Sequence, residues 1–161
     1  SGATWSAHET NRNWYAVASS AEGTKLVVVE NNGQIYTSTD SGMNWTARDS
    51  SRNWRAVASS ADGTKLLAVA SDDYSYISTD SGTSWIARAS SRKWNGATSS
   101  ADGNKLAATA EYYHGGPPIY FHFADYIYTS QNAGLNWAQR QGGIFPGLFA
   151  PTRSYRPRRT K

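Results

Sequence analysis

Twelve carboxylates and three histidines are the side chains in this 161-residue chain best suited to acid–base or metal chemistry. Two carboxylates can cleave a glycosidic bond if they share one cleft at a separation of roughly 5–10 Å. Asp40 and Asp80 fall in turns, while Glu22, Asp62 and Asp102 fall in a recurrent Ala-[Glu/Asp]-Gly hairpin. The others (Glu9, Glu30, Asp49, Asp72, Asp73, Glu111 and Asp125) show no spacing that pairs any two of them. His8, His114 and His122 lack the spacing of metal ligands, so no metal site is expected. There is no cysteine, which excludes disulfides and thiol chemistry and leaves the redox compartment open. Phosphate-cradling, dinucleotide and zinc-protease motifs are absent. Neither an enzymatic activity nor a cofactor is expected.

A repeat organises these residues. Segment 11–50 aligns with 51–90 without a gap, and 24 of the 40 positions are identical. A third copy opens at 91 with SRKWNGATSSADGNKLAATA and closes in YTSQNAGLNWAQR, after about 12 additional residues. A residue present in every copy serves the copy, so a singular residue is the better candidate for function. All seven tryptophans fall into two columns: Trp14, Trp54 and Trp94, and Trp5, Trp45, Trp85 and Trp137. They read as core and turn packing rather than as a sugar-stacking platform. Arg12, Arg52 and Arg92 form one arginine column and Arg48, Arg88 and Arg140 another, which leaves Arg55 alone in the body.

Each copy parses into four short strands. NWYAVASS and KLVVVE flank an AEGT turn, QIYTST follows, and NWTARDS comes after a DSGM turn. No stretch carries a sustained 3.6-residue apolar period, so no helix is expected. Four antiparallel strands in roughly 40 residues is the size of a propeller blade. Ser38, Asp40, Gly42 and Trp45 are spaced S-x-D-x-G-x-x-W, as are Ser78, Asp80, Gly82 and Trp85. Ser130, Asn132, Gly134 and Trp137 repeat the pattern with Asn in the Asp position. These octads resemble the Asp-box of sialidase-like, bacterial-neuraminidase-repeat β-propellers. As a hairpin lock, the Asp or Asn accepts backbone N–H groups, the Gly takes a conformation costly to other residues, and the Trp covers the turn.

The resemblance implies an all-β fold of Asp-box blades. It covers 1–142: a lone last strand at 1–10 and blades at 11–50, 51–90 and 91–142, an incomplete or small propeller. Gly2 and Trp5 align with Gly42 and Trp45, so the chain enters at a turn of this type. The missing blade would come from upstream sequence, another copy or a different protein. Sialidases bring three arginines from different blades to the substrate carboxylate and use a Tyr/Glu nucleophile pair with an Asp acid/base. Repeated arginines do not match that set. Propellers similar in blade pattern serve as photosystem II assembly and stability factors in the thylakoid lumen, which implies a non-catalytic scaffold subunit. The alternative from the same resemblance is a secreted carbohydrate-binding or glycosidase-derived module. An extracytoplasmic site, lumenal or secreted, follows from either.

Two segments escape the repeat. The insertion EYYHGGPPIYFHFADY gathers Tyr112, Tyr113, His114, Tyr120, Phe121, His122 and Phe123 around a Gly-Gly-Pro-Pro breaker. It either contacts a partner or folds back over its own blade edge. Residues 143–161 form an irregular apolar arm and a basic tail that includes Arg156, Arg158 and Arg159. The last 11 residues hold five basic groups and no acid, leaving 11 basic against 12 acidic in the rest, so the pI of 9.4 belongs to the tail. Without a basic face on the body, nucleic acid is not the expected partner. The tail offers a peripheral contact to phosphates or anionic headgroups, and no membrane-spanning segment is present in the sequence. The expected partners are other protein subunits or further copies of the chain.

Overall fold

The computed structural model describes the backbone of residues 11–114 and 121–140 and the side chains of 11–111 and 126–140. Among these residues there is no helix; eight strands are present: β1 (Trp14–Ser19), β2 (Leu26–Ser38), β3 (Thr46–Ser59), β4 (Leu66–Ser78), β5 (Ile86–Ser99), β6 (Leu106–His114), β7 (Phe121–Ser130) and β8 (Ala138–Arg140). Each pairs antiparallel with the next, so spatial order follows chain order.

The four short strands expected per repeat merge in pairs, and the joints explain why. A straight strand of β2's length would hold its ends about 40 Å apart. Yet Ser41 N donates to Thr24 O at 2.9 Å just outside those ends, so β2 doubles back. The reversal falls at Asn32, whose φ is 58°; β4 repeats it at Asp72, with φ 60°. In the third repeat the insertion separates the two arms into β6 and β7, paired from Leu106↔Ser130 through Glu111↔Asp125. β3 and β5 also bend, at Asp49 (φ 48°) and Ala89 (φ 54°), so that one strand closes one repeat and opens the next. A left-handed residue marks each change of direction, and the strand pairing shifts register there instead of passing through a long loop.

This meander gives the molecule two ends. One carries the Ser-x-Asp turns and the Ala-[Glu/Asp]-Gly turns. The other, called the tip end below, carries the reversals of β2 and β4 together with the bends of β3 and β5. The pairings Asn31↔Asn53 and Ser71↔Lys93 hold reversal and bend side by side there.

The core lies between successive repeats. Val27, Val29 and Ile35 of the first pack on Trp54, Val57, Leu66, Ala68, Ala70 and Tyr76 of the second. Ala58, Leu67, Val69 and Ile77 then pack on Trp94, Leu106, Ala108, Ala110 and Tyr128 of the third. Alternation along the strands makes this possible: in β2, β4, β6 and β7 odd positions face forward and even positions back. A register shift between Trp54 and Ala56 inverts the order in β3, so that Val57 faces back and Ala58 forward. Burying each Val, Leu or Ile contributes about 1.5–3 kcal/mol. The backbones also meet directly: Ala21 N donates to Ala61 O, and Ala61 N to Ala101 O, both at 2.7 Å. The forward face of the third repeat differs in composition. Its equivalents of Ala58, Leu67, Val69 and Ile77 are Thr98, Ala107, Thr109 and Thr129, with Ile127 46% exposed among them.

The first arginine column is built into this packing. Arg12, Arg52 and Arg92 lie over Tyr36, Tyr76 and Tyr128 at 4.8, 4.4 and 4.5 Å. Those tyrosines meet Trp14, Trp54 and Trp94 edge-on at 5.2, 5.2 and 5.0 Å. In the second repeat Arg52 also pairs with Asp73 at 3.1 Å, and Tyr76 Oη donates to the same carboxylate at 3.0 Å. Burial, reinforced by that hydrogen bond, pushes the Tyr76 phenol up to about 12, so it stays a donor.

Candidate interaction groove

The Ser-x-Asp turns are the most regular polar constellation in the molecule. Ser38 Oγ accepts from Gly42 N at 2.9 Å and donates to Asp40 Oδ1 at 2.8 Å. Asp40 in turn accepts from the backbone N and side-chain Nδ2 of Asn44 at 2.9 and 2.7 Å. Trp45 Nε1 closes over the turn onto Gly42 O at 3.0 Å. Ser78, Asp80, Gly82, Ser84 and Trp85 repeat the pattern. In the third turn Asn132 Oδ1 takes the carboxylate's place, accepting from Ser130 Oγ and Asn136 N at 3.0 and 2.9 Å. The donors around these carboxylates tie them into the turn backbone. They also lower the pKa from 3.8 to about 2, through Asn44 above all for Asp40 and Ser84 above all for Asp80.

The sign of the pH effect follows. A carboxylate whose folded pKa is depressed supports stability above its unfolded value and loses that support as pH falls through the folded one. The unfolding midpoint should therefore be level above pH 5 and drop between about pH 4 and pH 2. Replacing Asp40 and Asp80 by Asn, the residue of the third turn, should flatten the drop in an acid-titration series followed by circular dichroism. An unchanged slope would remove these carboxylates as its source.

The singular aromatics lie partly within the described backbone. Tyr112, Tyr113 and His114 close β6, and Phe121, His122 and Phe123 open β7. The register sets Tyr112 opposite Ala124, Tyr113 opposite His122 and His114 opposite Phe121. The pair thus extends the third repeat beyond Glu111, the position aligned with the β2 reversal, at the tip end. Tyr120, Arg156, Arg158 and Arg159 lie outside the described residues, as do residues 1–10.

The same end holds a groove that sequence reasoning did not assemble. Its volume is about 350 Å³, and its walls are Tyr15, Asn53, Arg55, Ser71, Asp72, Lys93, Trp94, Asn95 and Glu111. Three of these (Tyr15, Arg55 and Asn95) occupy a single repeat column in which every copy carries a different residue. The Arg55 guanidinium lies 5.0 Å over the Tyr15 ring. Asn95 Nδ2 donates to Glu111 Oε1 at 3.5 Å, and Thr109 Oγ1 donates to Asn95 Oδ1. Two buried polar atoms of the wall residues, Trp94 Nε1 and Asn53 Oδ1, have no hydrogen-bond partner among the described residues. The groove thus presents cations, carboxylates, amide side chains and the Tyr15 ring together. Such a set suits a polar chain with amide groups. It also places Asp72 and Glu111 on one surface, a pairing the sequence spacing did not reveal. The available signal was column variability: Arg55 stood out alone, but its column-mates Tyr15 and Asn95 were equally singular.

Among the described residues, no group of His, Cys, Asp or Glu could hold a metal ion, and no helix is long and apolar enough to cross a membrane.

Fold and groove together define a β-propeller-type repeat protein. Solved structures of such propellers superpose on the chain. A YCF48 bound to a D1 peptide matches at a TM-score of 0.60 and 14% identity, covering 80% of this chain and 40% of that one. YCF48 from Cyanidioschyzon merolae matches at 0.60 and 17% identity, over 78% and 36%. An ancestral GH74 enzyme matches at 0.62 and 20% identity, over 83% and 21%. The chain therefore spans well under half the length of each. Neither a family model nor a curated protein sequence matches it.

Proposed function

We propose that the chain is a non-catalytic interaction module of Asp-box type, working as a scaffold subunit in a larger protein assembly. The observation that carries this reading is the tip-end groove, where the residues that vary between otherwise similar repeats converge around Arg55 and Tyr15. A repeat scaffold tolerates change where packing does not constrain it, so a cluster of variable positions on one surface marks a site for recognition. The D1 peptide on YCF48 supports a peptide occupant and is the probe of choice. By the same analogy the module works outside the cytoplasm, in a photosystem-associated lumenal setting.

Titration of the full chain with a D1 peptide should give saturable binding. Arg55→Ala and Tyr15→Ser should each weaken it about tenfold, or about 1.4 kcal/mol. Both residues are partly exposed, so the unfolding midpoint should stay put. Absence of binding by this peptide and by protein partners from an assembly would end the reading. A second reading rests on the presence of Asp72 and Glu111 in one groove beside the exposed Tyr15 ring, groups that a glycan site uses. It requires hydrolysis of a fluorogenic glycoside that disappears in Glu111→Gln, or sugar binding without hydrolysis.

A further inference from the structure

The second arginine column is broken in one repeat only. Arg48 Nε donates to Thr37 Oγ1 at 3.0 Å, and Arg140 Nε to Thr129 Oγ1 at 2.8 Å. In the second repeat Ile77 replaces that threonine, and the Arg88 guanidinium has no hydrogen-bond or carboxylate partner among the described residues. Beside it the neighbouring columns also turn apolar. Thr46 and Ala138 align with Ile86, and Met43 and Thr83 with Leu135. Ile77, Ile86, Ala133, Leu135 and Arg88 line a notch of about 160 Å³ between the second and third repeats. Ile86 and Leu135 are 53% and 60% exposed. The equivalent ground between the first two repeats is occupied by Thr37, Thr46 and Thr83.

We propose that this notch docks a partner segment carrying one aliphatic side chain next to a carboxylate. The volume admits a single medium-sized apolar side chain, which would cover the exposed isoleucine and leucine. The unpaired guanidinium supplies a two-pronged donor for the adjoining acid. Asp80, which follows Thr79 on the notch wall, forms no ion pair with Arg88: its carboxylate is turned toward Ser78, Ser84 and the turn backbone. The chain's own residues 141–161 are a poorer occupant: they hold five basic residues and no acid. The proposal stands independently of the tip-end groove.

The test uses the full chain with labelled Ile and Leu methyls, observed by NMR. The probe is the peptide acetyl-Gly-Leu-Glu-Gly amide, with Glu→Gln and Leu→Ser versions as controls. Saturable shifts should centre on Ile77, Ile86 and Leu135. The Gln peptide and the Arg88→Gln variant should each weaken binding about tenfold. Ile86→Thr, which installs the first repeat's residue on the surface, should remove binding while leaving the unfolding midpoint unchanged. Shifts centred elsewhere, or equal affinity for the Gln peptide, would overturn the proposal. So would notch shifts that respond to dilution, which place a second copy there, or to Phe145→Ser, which place the chain's own arm there.

Discussion

Trp54→Ala is expected to remove about 3–5 kcal/mol of stability, the cost of deleting a fully buried indole and leaving a cavity. Domains of this size are stabilised by only about 5–15 kcal/mol in all, so the variant should be largely unfolded at modest urea concentrations. Trp54 is 0% exposed between the first two repeats, packed against Tyr76 and covered by Arg52. Trp14 occupies the same column and meets Tyr36 at the same 5.2 Å, yet it is only half-buried. Trp14→Ala should therefore cost clearly less. Urea denaturation followed by circular dichroism gives both numbers. Equal losses would show that the stack within each repeat, rather than burial between repeats, sets the energy.

Gly82→Ala should be a costly single-methyl change, at about 2–4 kcal/mol. Two penalties combine there. The backbone sits at φ 84°, a left-handed conformation that costs a residue with a β-carbon about 1–2 kcal/mol. The new methyl would also lie 2.6 Å from Thr37 Cγ2 and 3.2 Å from Leu66 Cδ1, forcing the first and second repeats apart. Gly23→Ala separates these terms. Its φ is 72°, but nothing lies within 4 Å of the added carbon, so only the backbone penalty of about 1 kcal/mol applies. If both variants melted together, the contact with the neighbouring repeat would be irrelevant.

Much of the architecture was legible because a repeat records its constraints more than once. The 40-residue period, the absence of helical periodicity and the Ser-x-Asp-x-Gly-x-x-Trp spacing each carry a physical requirement that shows in composition. Strand boundaries were not legible. Asn32, Asp72, Asp49 and Ala89 redirect the chain through single left-handed residues, and only the first three have side chains that advertise this. Ala89 gives no warning, since its conformation is imposed by the ladder on either side. The groove escaped for another reason. Tyr15, Arg55 and Asn95 follow one another at intervals of 40 residues and come to one groove only when repeats stack. Asp72 and Glu111 likewise line one groove from two repeats. Sequence spacing within a segment cannot report such pairs, whereas variability within a column can.

The rearward faces of the second and third repeats have a consequence for how such a chain changes length. Trp54, Leu66, Ala68, Ala70 and Tyr76 are matched by Trp94, Leu106, Ala108, Ala110 and Tyr128, and only Val57 is replaced, by Ala97. The forward face of the first repeat would therefore find nearly the surface it already fits, smaller by two methyl groups, if residues 51–90 were excised in frame. The hydrogen bond from Ala21 N would pass to Ala101 O in place of Ala61 O. Unequal crossing-over between such similar segments would then yield shorter or longer chains that fold at once. Their two extreme surfaces, and whatever those surfaces bind, would be preserved through the change.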